Sequence, residues 1–358
     1  MIRHPVHRVL VCALLPIGDT LFTTPALHAV RVRYPQARIT ALTYPTNAGI
    51  LAASPDIDEI VLAPTRARPQ SPGQILQFAR ELRAARYDLL LEFSSYNYGL
   101  GLWGGARMHT SMRLPAFWWI RPDAGVTWRR LHAVEHYANV VRRAGIPVTD
   151  WRLRMYATRE EIEARDQLLH DNGVQLQEPI IGLHPGGEGL WGRKRWGTAG
   201  FARVADQLHA QFGVKIVVLG GTEDARLAAT LARKSSAPVL NLAGQTTLGA
   251  TAALAARCAL FIGNDSSPLH IAVAAGTRVV GIYGVTDPRS YRPWVPGGVE
   301  GRDYAVVQST APCAGSFPLI GGIPLWEWID VLRCDALAAV TPEQVVAAAA
   351  PLLAAALV

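Results

Sequence analysis

Short apolar runs alternate with amphipathic stretches along almost the whole chain. In the first half, the runs at 8–15, 38–44, 57–62 and 88–93 are rich in Val, Ile and Leu and predict strands buried on both faces. Between and after them, 25–34, 71–87 and 131–145 predict helices, the second clearly amphipathic. The stretch 97–128 is rich in Gly, Trp and Arg, shows no clear period and reads as loop. From 179 onward the pattern restarts, with strands predicted at 179–184, 214–220, 239–242, 259–262 and 278–283 and helices at 198–212, 223–234, 248–257 and 268–275. Such alternation is the mark of parallel sheets covered by helices, so the expected class is α/β with two Rossmann-like, doubly wound domains. A helix at 158–172 opens on the capping box Thr158-x-x-Glu161 and closes before Gly173, which sets the predicted boundary. The expected division is 1–172, 173–338 and a C-terminal helix within 339–358, opened by Thr341-Pro342-Glu343-Gln344 and free to pack back on the first domain.

Length agrees, because 358 residues exceed what one core usually supports, and half of them are hydrophobic. Residues 3–17 imitate a signal peptide, but no small-residue cleavage site follows, and Gly18-Asp19-Thr20 reads as the turn after a buried first strand. The apolar run 345–358 contains Pro351 and falls short of the roughly 20 residues that span a bilayer. The expectation is a soluble, cytoplasmic protein. Of four cysteines, Cys12 and Cys258 lie in or beside apolar strands and suit reduced, packed thiols; Cys313 and Cys334 are open to pairing or metal binding, with no C-x-x-C to favour metal. Lys and Arg number 35 against 28 Asp and Glu, a formal +7, which suits anionic substrates or an anionic membrane surface, or simply solubility.

In open α/β sheets ligands bind beyond the carboxyl ends of the strands, so the chemistry is sought there. The segment Asn264-Asp265-Ser266-Ser267-Pro268-Leu269-His270 joins a strand to a short helix. Its exposed amides and positive helix end suit a diphosphate, with Ser266, Ser267 and His270 beside it; a plain Asp or Ser cap with a half-buried His270 is the alternative. Arg193-Lys194-Arg195 follows another strand end and offers phosphate-binding cations or a merely solvated loop. Gly187-x-Gly189-x-x-Gly192 matches the dinucleotide fingerprint by letter, but Trp191 and three cations stand where its helix should begin. Glu223, after the next strand, is the candidate for a ribose. Asp19, just past the first strand, is ionised at neutral pH and is placed either to cap a helix or to act as a general base toward an acceptor hydroxyl.

Together, Ile17-Gly18-Asp19 through Thr24-Pro25-Ala26-Leu27, Lys194-Arg195-Trp196, Asp265-Ser266 through Pro268-Leu269-His270-Ile271-Ala272, Val280 through Tyr283-Gly284-Val285-Thr286-Asp287-Pro288, and Cys313 with Cys334 resemble glycosyltransferase family 9, the ADP-heptose:lipopolysaccharide heptosyltransferases. The resemblance spans nearly the whole chain in order. It implies a GT-B fold, two Rossmann-like domains facing a central cleft, with the acceptor on the first and the nucleotide sugar on the second. It places Asp19 as catalytic base, Lys194 on the donor phosphates, Glu223 on the ribose, Thr246 near the nucleoside, and Asp265, Ser266, Ser267 and His270 around the donor. Ser267 stands where the family usually has Gly, and Pro16 where a basic or polar residue is common. The implied reaction is inverting transfer of heptose from ADP-heptose to a lipopolysaccharide inner core, with no cofactor and no metal; no Asp-x-Asp motif occurs. Arg66, Arg68, Arg113, Arg129 and Arg130 are the acceptor-side candidates, and a peripheral contact with the anionic inner membrane, but no nucleic acid, completes the partners. The alternatives are an epimerase-like nucleotide-sugar enzyme, a nicotinamide-dependent oxidoreductase, and a non-catalytic nucleotide-binding module.

Overall fold

Strand β1 (Arg8–Ala13) shows how the apolar runs are used: five of its six residues are buried, as a strand covered on both faces requires. A computed structural model of the chain describes residues 5–63, 72–94, 106, 108–111, 131–187, 193–316 and 335–358. It divides into two units, Met1–Tyr156 and Ala157–Val358.

Among the described residues of the first unit, β1 pairs in parallel with β2 (Arg38–Thr43) and β4 (Leu89–Glu92), and β3 (Glu59–Leu62) and β5 (Met108–Ser111) flank them, giving the order β3-β2-β1-β4-β5. The strand order therefore reverses between β1 and β4. Residues 18–20, expected to be a turn, instead lie in a short helix, α1 (Ile17–Phe22). Pro16 fixes its start, and the Thr20 amide and hydroxyl both donate to the Pro16 carbonyl, at 2.9 and 3.0 Å. Helices α2 (Thr24–Arg33), α3 (Pro72–Ala84) and α4 (Ala133–Arg143) follow. A capping box starts α4: His132 Nδ1 accepts from the Val134 amide, and Glu135 accepts from the His132 amide.

The second unit opens with α5 (Arg159–Asp171), capped by Thr158 and Glu161 as predicted. Its strands are β6 (Ile180–His184), β7 (Lys215–Val218), β8 (Val239–Asn241), β9 (Leu260–Asn264), β10 (Val279–Tyr283) and β11 (Tyr304–Gln308). All pair in parallel, in the order β11-β10-β9-β6-β7-β8. The connecting helices are α6 (Thr198–Phe212), α7 (Ala225–Lys234), α8 (Leu248–Arg257) and α9 (Ser267–Ala274), and α10 (Pro342–Leu357) ends the chain. Period-2 alternation sorts the strand side chains into two cores. Ile181, Leu183, Ile216, Val218 and Ile262 face α6, α7 and α10, whereas Ile180, Val217, Phe261 and Val279 face α5, α8 and α9.

Two expectations about the division change. The helix placed at the end of the first domain is part of the second unit: Leu169 of α5 shares a core with Leu254 and Ala255 of α8, and Thr247 donates to Glu161 at 2.7 Å. The C-terminal helix, left free to pack on the first domain, buries Val345, Ala349, Leu352 and Leu353 in the second unit's own core beside α6. Cys12 and Cys258 are free and buried, and burial pushes both thiols up to about 12, with Glu92 adding to the effect on Cys12. Cys313 is disulfide-bonded; Cys334 lies outside the described residues. No helix among the described residues is long and apolar enough to cross a membrane.

Candidate functional site

In the second unit the strand order reverses between β6 and β9, whose register pairs His184 with Gly263. The connections leaving these two strands carry Lys194, Asp265, Ser266, Ser267 and His270 of the predicted donor residues. Asp265, 6% exposed, accepts from Lys194 Nζ at 2.7 Å, and His270 Nε2 lies 3.6 Å from its other carboxylate oxygen. Burial alone would raise the Asp265 carboxyl, but the Lys194 charge and the contacts with His270 outweigh it and hold the group well below the usual carboxylate range. Asp265, Lys194 and His270 are thus brought together. Ser266 and Ser267, both half-buried, begin α9; Ser266 makes no side-chain cap and instead donates to the Asn264 carbonyl at 3.1 Å. Lys194 also lies 5.7 Å from the centre of the Tyr291 ring.

Asn264 holds this arrangement together. Fully buried at the end of β9, it donates to the carbonyls of Pro185 and Gly186 at 3.0 and 2.8 Å and accepts from the Trp196 amide at 3.0 Å. One amide side chain thereby ties the loop after β6 and the loop before α6 to the strand that leads into α9. Trp196 anchors the second loop from below, with its ring edge-on to Phe201 and its indole N–H donating to the Val340 carbonyl at 3.1 Å. Arg195 Nε donates to the Gly187 carbonyl at 2.8 Å, so this cation braces the loop backbone. Gly187 sits at φ +144°, a backbone region that side chains rarely tolerate, and a side chain at Gly186 would collide with the Asp224 carboxylate. Gly189 and Gly192 of the dinucleotide pattern lie outside the described residues, and the helix after the loop begins only at Thr198.

Beyond the end of β7, Glu223 is exposed, while Asp224 beside it is buried and accepts from the Gly221 amide at 3.1 Å. His184, at the end of β6, keeps Nδ1 2.9 Å from the Leu219 carbonyl; burial holds its imidazole neutral against the pull of Asp224 at 4.0 Å. The next loop stands beside this one: the Gly244 amide donates to the Gly220 carbonyl, and a side chain at Gly244 would touch Thr222. Half-buried Thr246 on that loop shares a 2.8 Å hydrogen bond with the Thr251 hydroxyl. Thr251 spends its own proton on the Thr247 carbonyl, so Thr246 is the donor of the pair and keeps its oxygen as an acceptor.

In the first unit, Asp19 lies in the first turn of α1, just past β1 and beside the reversal between β1 and β4. Its Oδ1 accepts from Tyr137 Oη at 2.7 Å. Tyr137 is 2% exposed and packs edge-to-face on Phe93 at 6.1 Å, and Glu92, 1% exposed, ends β4. The five acceptor-side arginines, Arg66, Arg68, Arg113, Arg129 and Arg130, lie outside the described residues. Among the described residues no three His, Cys, Asp or Glu side chains are grouped to hold a metal ion.

Sequence reasoning did not single out Asn264, Asp224 or Tyr137. The helical pattern of 131–145 does put Tyr137 on the buried face with Val134 and Val141, and a core tyrosine needs a partner for its hydroxyl, but the pattern does not say which.

Comparison with known proteins bears on the family and the fold. Residues 75–299, well over half of the chain, match glycosyltransferase family 9 (heptosyltransferase). Lipopolysaccharide heptosyltransferase 3 of Escherichia coli is 29% identical over 289 residues, covering 77% of this chain and 83% of that protein. The crystal structure of the glycosyl transferase family 9 protein from Veillonella parvula DSM 2008 superposes with a TM-score of 0.82 at 25% identity, covering 99% of both chains. The ADP-heptose lps heptosyltransferase II of E. coli shares the fold with a TM-score of 0.72 at 21% identity, over 97% of this chain and 98% of that one.

Proposed function

The chain belongs to glycosyltransferase family 9 and is a glycosyltransferase of the two-domain GT-B type, and from that premise we propose that it transfers heptose from ADP-heptose to a lipopolysaccharide inner core, with inversion and without a metal. The observation that carries this reading is the Lys194–Asp265–His270 cluster at the start of α9, at the strand-order reversal where a doubly wound sheet binds its ligand. The donor pyrophosphate is assigned to the α9 amides, Ser266, Ser267 and Lys194, the ribose to Glu223 and the nucleoside to Thr246. The E. coli relatives named for lipopolysaccharide and for ADP-heptose support the choice of donor and acceptor.

Cleavage of the sugar–phosphate bond leaves negative charge growing on the ADP oxygens. Pre-aligned amides at a helix N-terminus and a lysine stabilise that charge with little reorganisation, which is the work a metal would otherwise do. Lys194 has three protons, and the one held by Asp265 fixes where the ammonium sits. Asp19 takes the proton of the acceptor hydroxyl as that oxygen attacks the anomeric carbon from the face opposite the leaving ADP, so the configuration inverts. Arg66, Arg68, Arg113, Arg129 and Arg130 are assigned to acceptor phosphates, and the formal +7 charge to peripheral contact with the anionic inner membrane.

The test is ADP release, followed by mass spectrometry, from ADP-heptose, UDP-sugars and GDP-sugars, with and without a Kdo-lipid A acceptor. The expected result is acceptor-dependent release from ADP-heptose that survives EDTA, is faster when the acceptor is carried in anionic vesicles at low salt, and collapses in Asp19→Ala. Release that ignores the acceptor, or that persists in Asp19→Ala, overturns the reading.

A further inference from the structure

We propose that Tyr137 is a positioning residue for Asp19: its buried phenol fixes the rotation of the carboxylate and sets the acidity at which the base becomes active. The inference rests on the reading of Asp19 as the base. An aspartate can turn its carboxylate plane about the last side-chain bond, and a base whose oxygen points the wrong way loses the alignment on which proton removal depends. Here the Tyr137 hydroxyl donates to Oδ1 at 2.7 Å, the length of a hydrogen bond strengthened by an ionised acceptor. With one oxygen anchored, the direction of the other is set.

The anchor itself is rigid. Tyr137 is 2% exposed, lies one turn into α4 behind the His132–Glu135 capping box, and packs on Phe93, which is fully buried. The His132 ring packs in turn on Phe22 of α1 at 5.5 Å, so the helix that carries the phenol is fitted to the helix that carries the carboxylate. A hydrogen bond to the charged form of a carboxyl favours that form, so the phenol lowers the pH at which Asp19 becomes a base. Among the described residues, the other ionisable groups on elements packed against α1 are His132, Glu135, His136, Arg142 and Arg143 on or before α4, and His28, Arg31 and Arg33 on α2, where His28 pairs with Asp56 at 3.1 Å. His136 is kept neutral, pushed down to about 3 by burial and then by Arg143 and His132. Glu92 ends β4, on which α4 also packs. None of these is changed when the phenol oxygen is removed, so a shift in the pH profile reports on the Tyr137–Asp19 bond.

The full-length enzyme is assayed as wild type, Tyr137→Phe, Tyr137→3-fluorotyrosine, Asp19→Asn and Asp19→Asn/Tyr137→Phe. Tyr137→Phe is expected to lower kcat by about tenfold or more, the scale of a misaligned catalytic group. It should leave the KM for the ADP-sugar within about twofold, because the donor residues are on other elements, and move the acidic limb of kcat/KM to higher pH. The fluorinated residue, a stronger donor, should keep kcat and move that limb to lower pH, which a purely structural role would not do. In the Asp19→Asn background, loss of the phenol should change nothing further. If Asp19→Asn is dead while both Tyr137 variants keep the wild-type kcat and limb, the positioning role is overturned and the base survives. If Asp19→Asn stays active with its limb intact, the base reading falls and this proposal with it.

Discussion

At the scale of single residues, the proposed donor site combines charges that cancel. Lys194 and Asp265 sum to zero, so net attraction for a diphosphate would rest on the α9 amides and on Arg193 and Arg195, which flank Lys194, while Lys194 meets the phosphates locally and the buried aspartate holds it. Removing one partner of such a pair strands the other charge in a place with little water. In Lys194→Ala the stranded group is an anion beside the phosphates, which repels the ligand as well as losing the lysine. Isothermal titration with ADP should therefore show a larger loss for Lys194→Ala than for Lys194→Ala/Asp265→Asn, with the double variant recovering about tenfold in affinity, the middle of the range for coupled neighbours. If the second substitution makes binding weaker still, Asp265 contacts the ligand directly and is more than the holder of Lys194.

At the scale of elements, two connections, β6–α6 and β9–α9, are joined by one side chain, because Asn264 meets Pro185, Gly186 and Trp196 at once. Asn264→Ala leaves two carbonyls and one amide without that partner and should cost the second unit about 1–3 kcal/mol for each group that stays dry, seen as a lower denaturant midpoint, together with a raised KM for the ADP-sugar. Asn264→Ala with an unchanged KM would show that the loops hold their shape without it. Most of the elements were legible in the sequence because most strands of these sheets are continuous apolar runs and most helices mix apolar with polar positions. Where that contrast fades, the reading failed. Helix α1 is six residues long and begins at a proline beside a Gly-Asp pair that imitates a turn. Strand β5 lies within a stretch without a period, and β11 follows a Gly-rich and Pro-rich segment that hides its apolar run. The candidate site is read by the same contrast: Asp19, Lys194, Asp265 and His270 belong to segments that follow apolar strands, where chemistry is expected. Asn264 and Tyr137 act through partners 68 to 79 and 118 positions away in the chain, and no local pattern reports such pairings.

At the scale of the whole molecule, one architectural rule is used twice. Among the described residues each unit is built on a parallel sheet whose strand order reverses once, between β1 and β4 in the first and between β6 and β9 in the second, and such a reversal parts two loops beyond the strand ends and leaves room there for a ligand. In the first unit that place receives Asp19; in the second it receives Lys194, Asp265 and the start of α9. Each unit also encloses its own apolar core, around Leu10, Leu42 and Leu90 in one and around Ile181, Ile216 and Ile262 in the other. A ligand that binds only the folded state stabilises what it touches by about 2.7 kcal/mol at a hundredfold excess over its Kd, and segments that open locally gain most of that protection as slower amide exchange. Hydrogen exchange of the full chain with and without ADP should therefore slow chiefly at 184–187, 193–196, 220–224, 244–247 and 264–270, five stretches far apart in sequence that share the carboxyl edge of one sheet. Protection centred instead on the loops of the first unit around residues 16–20 would move the nucleotide to the other sheet and exchange the roles of the two units.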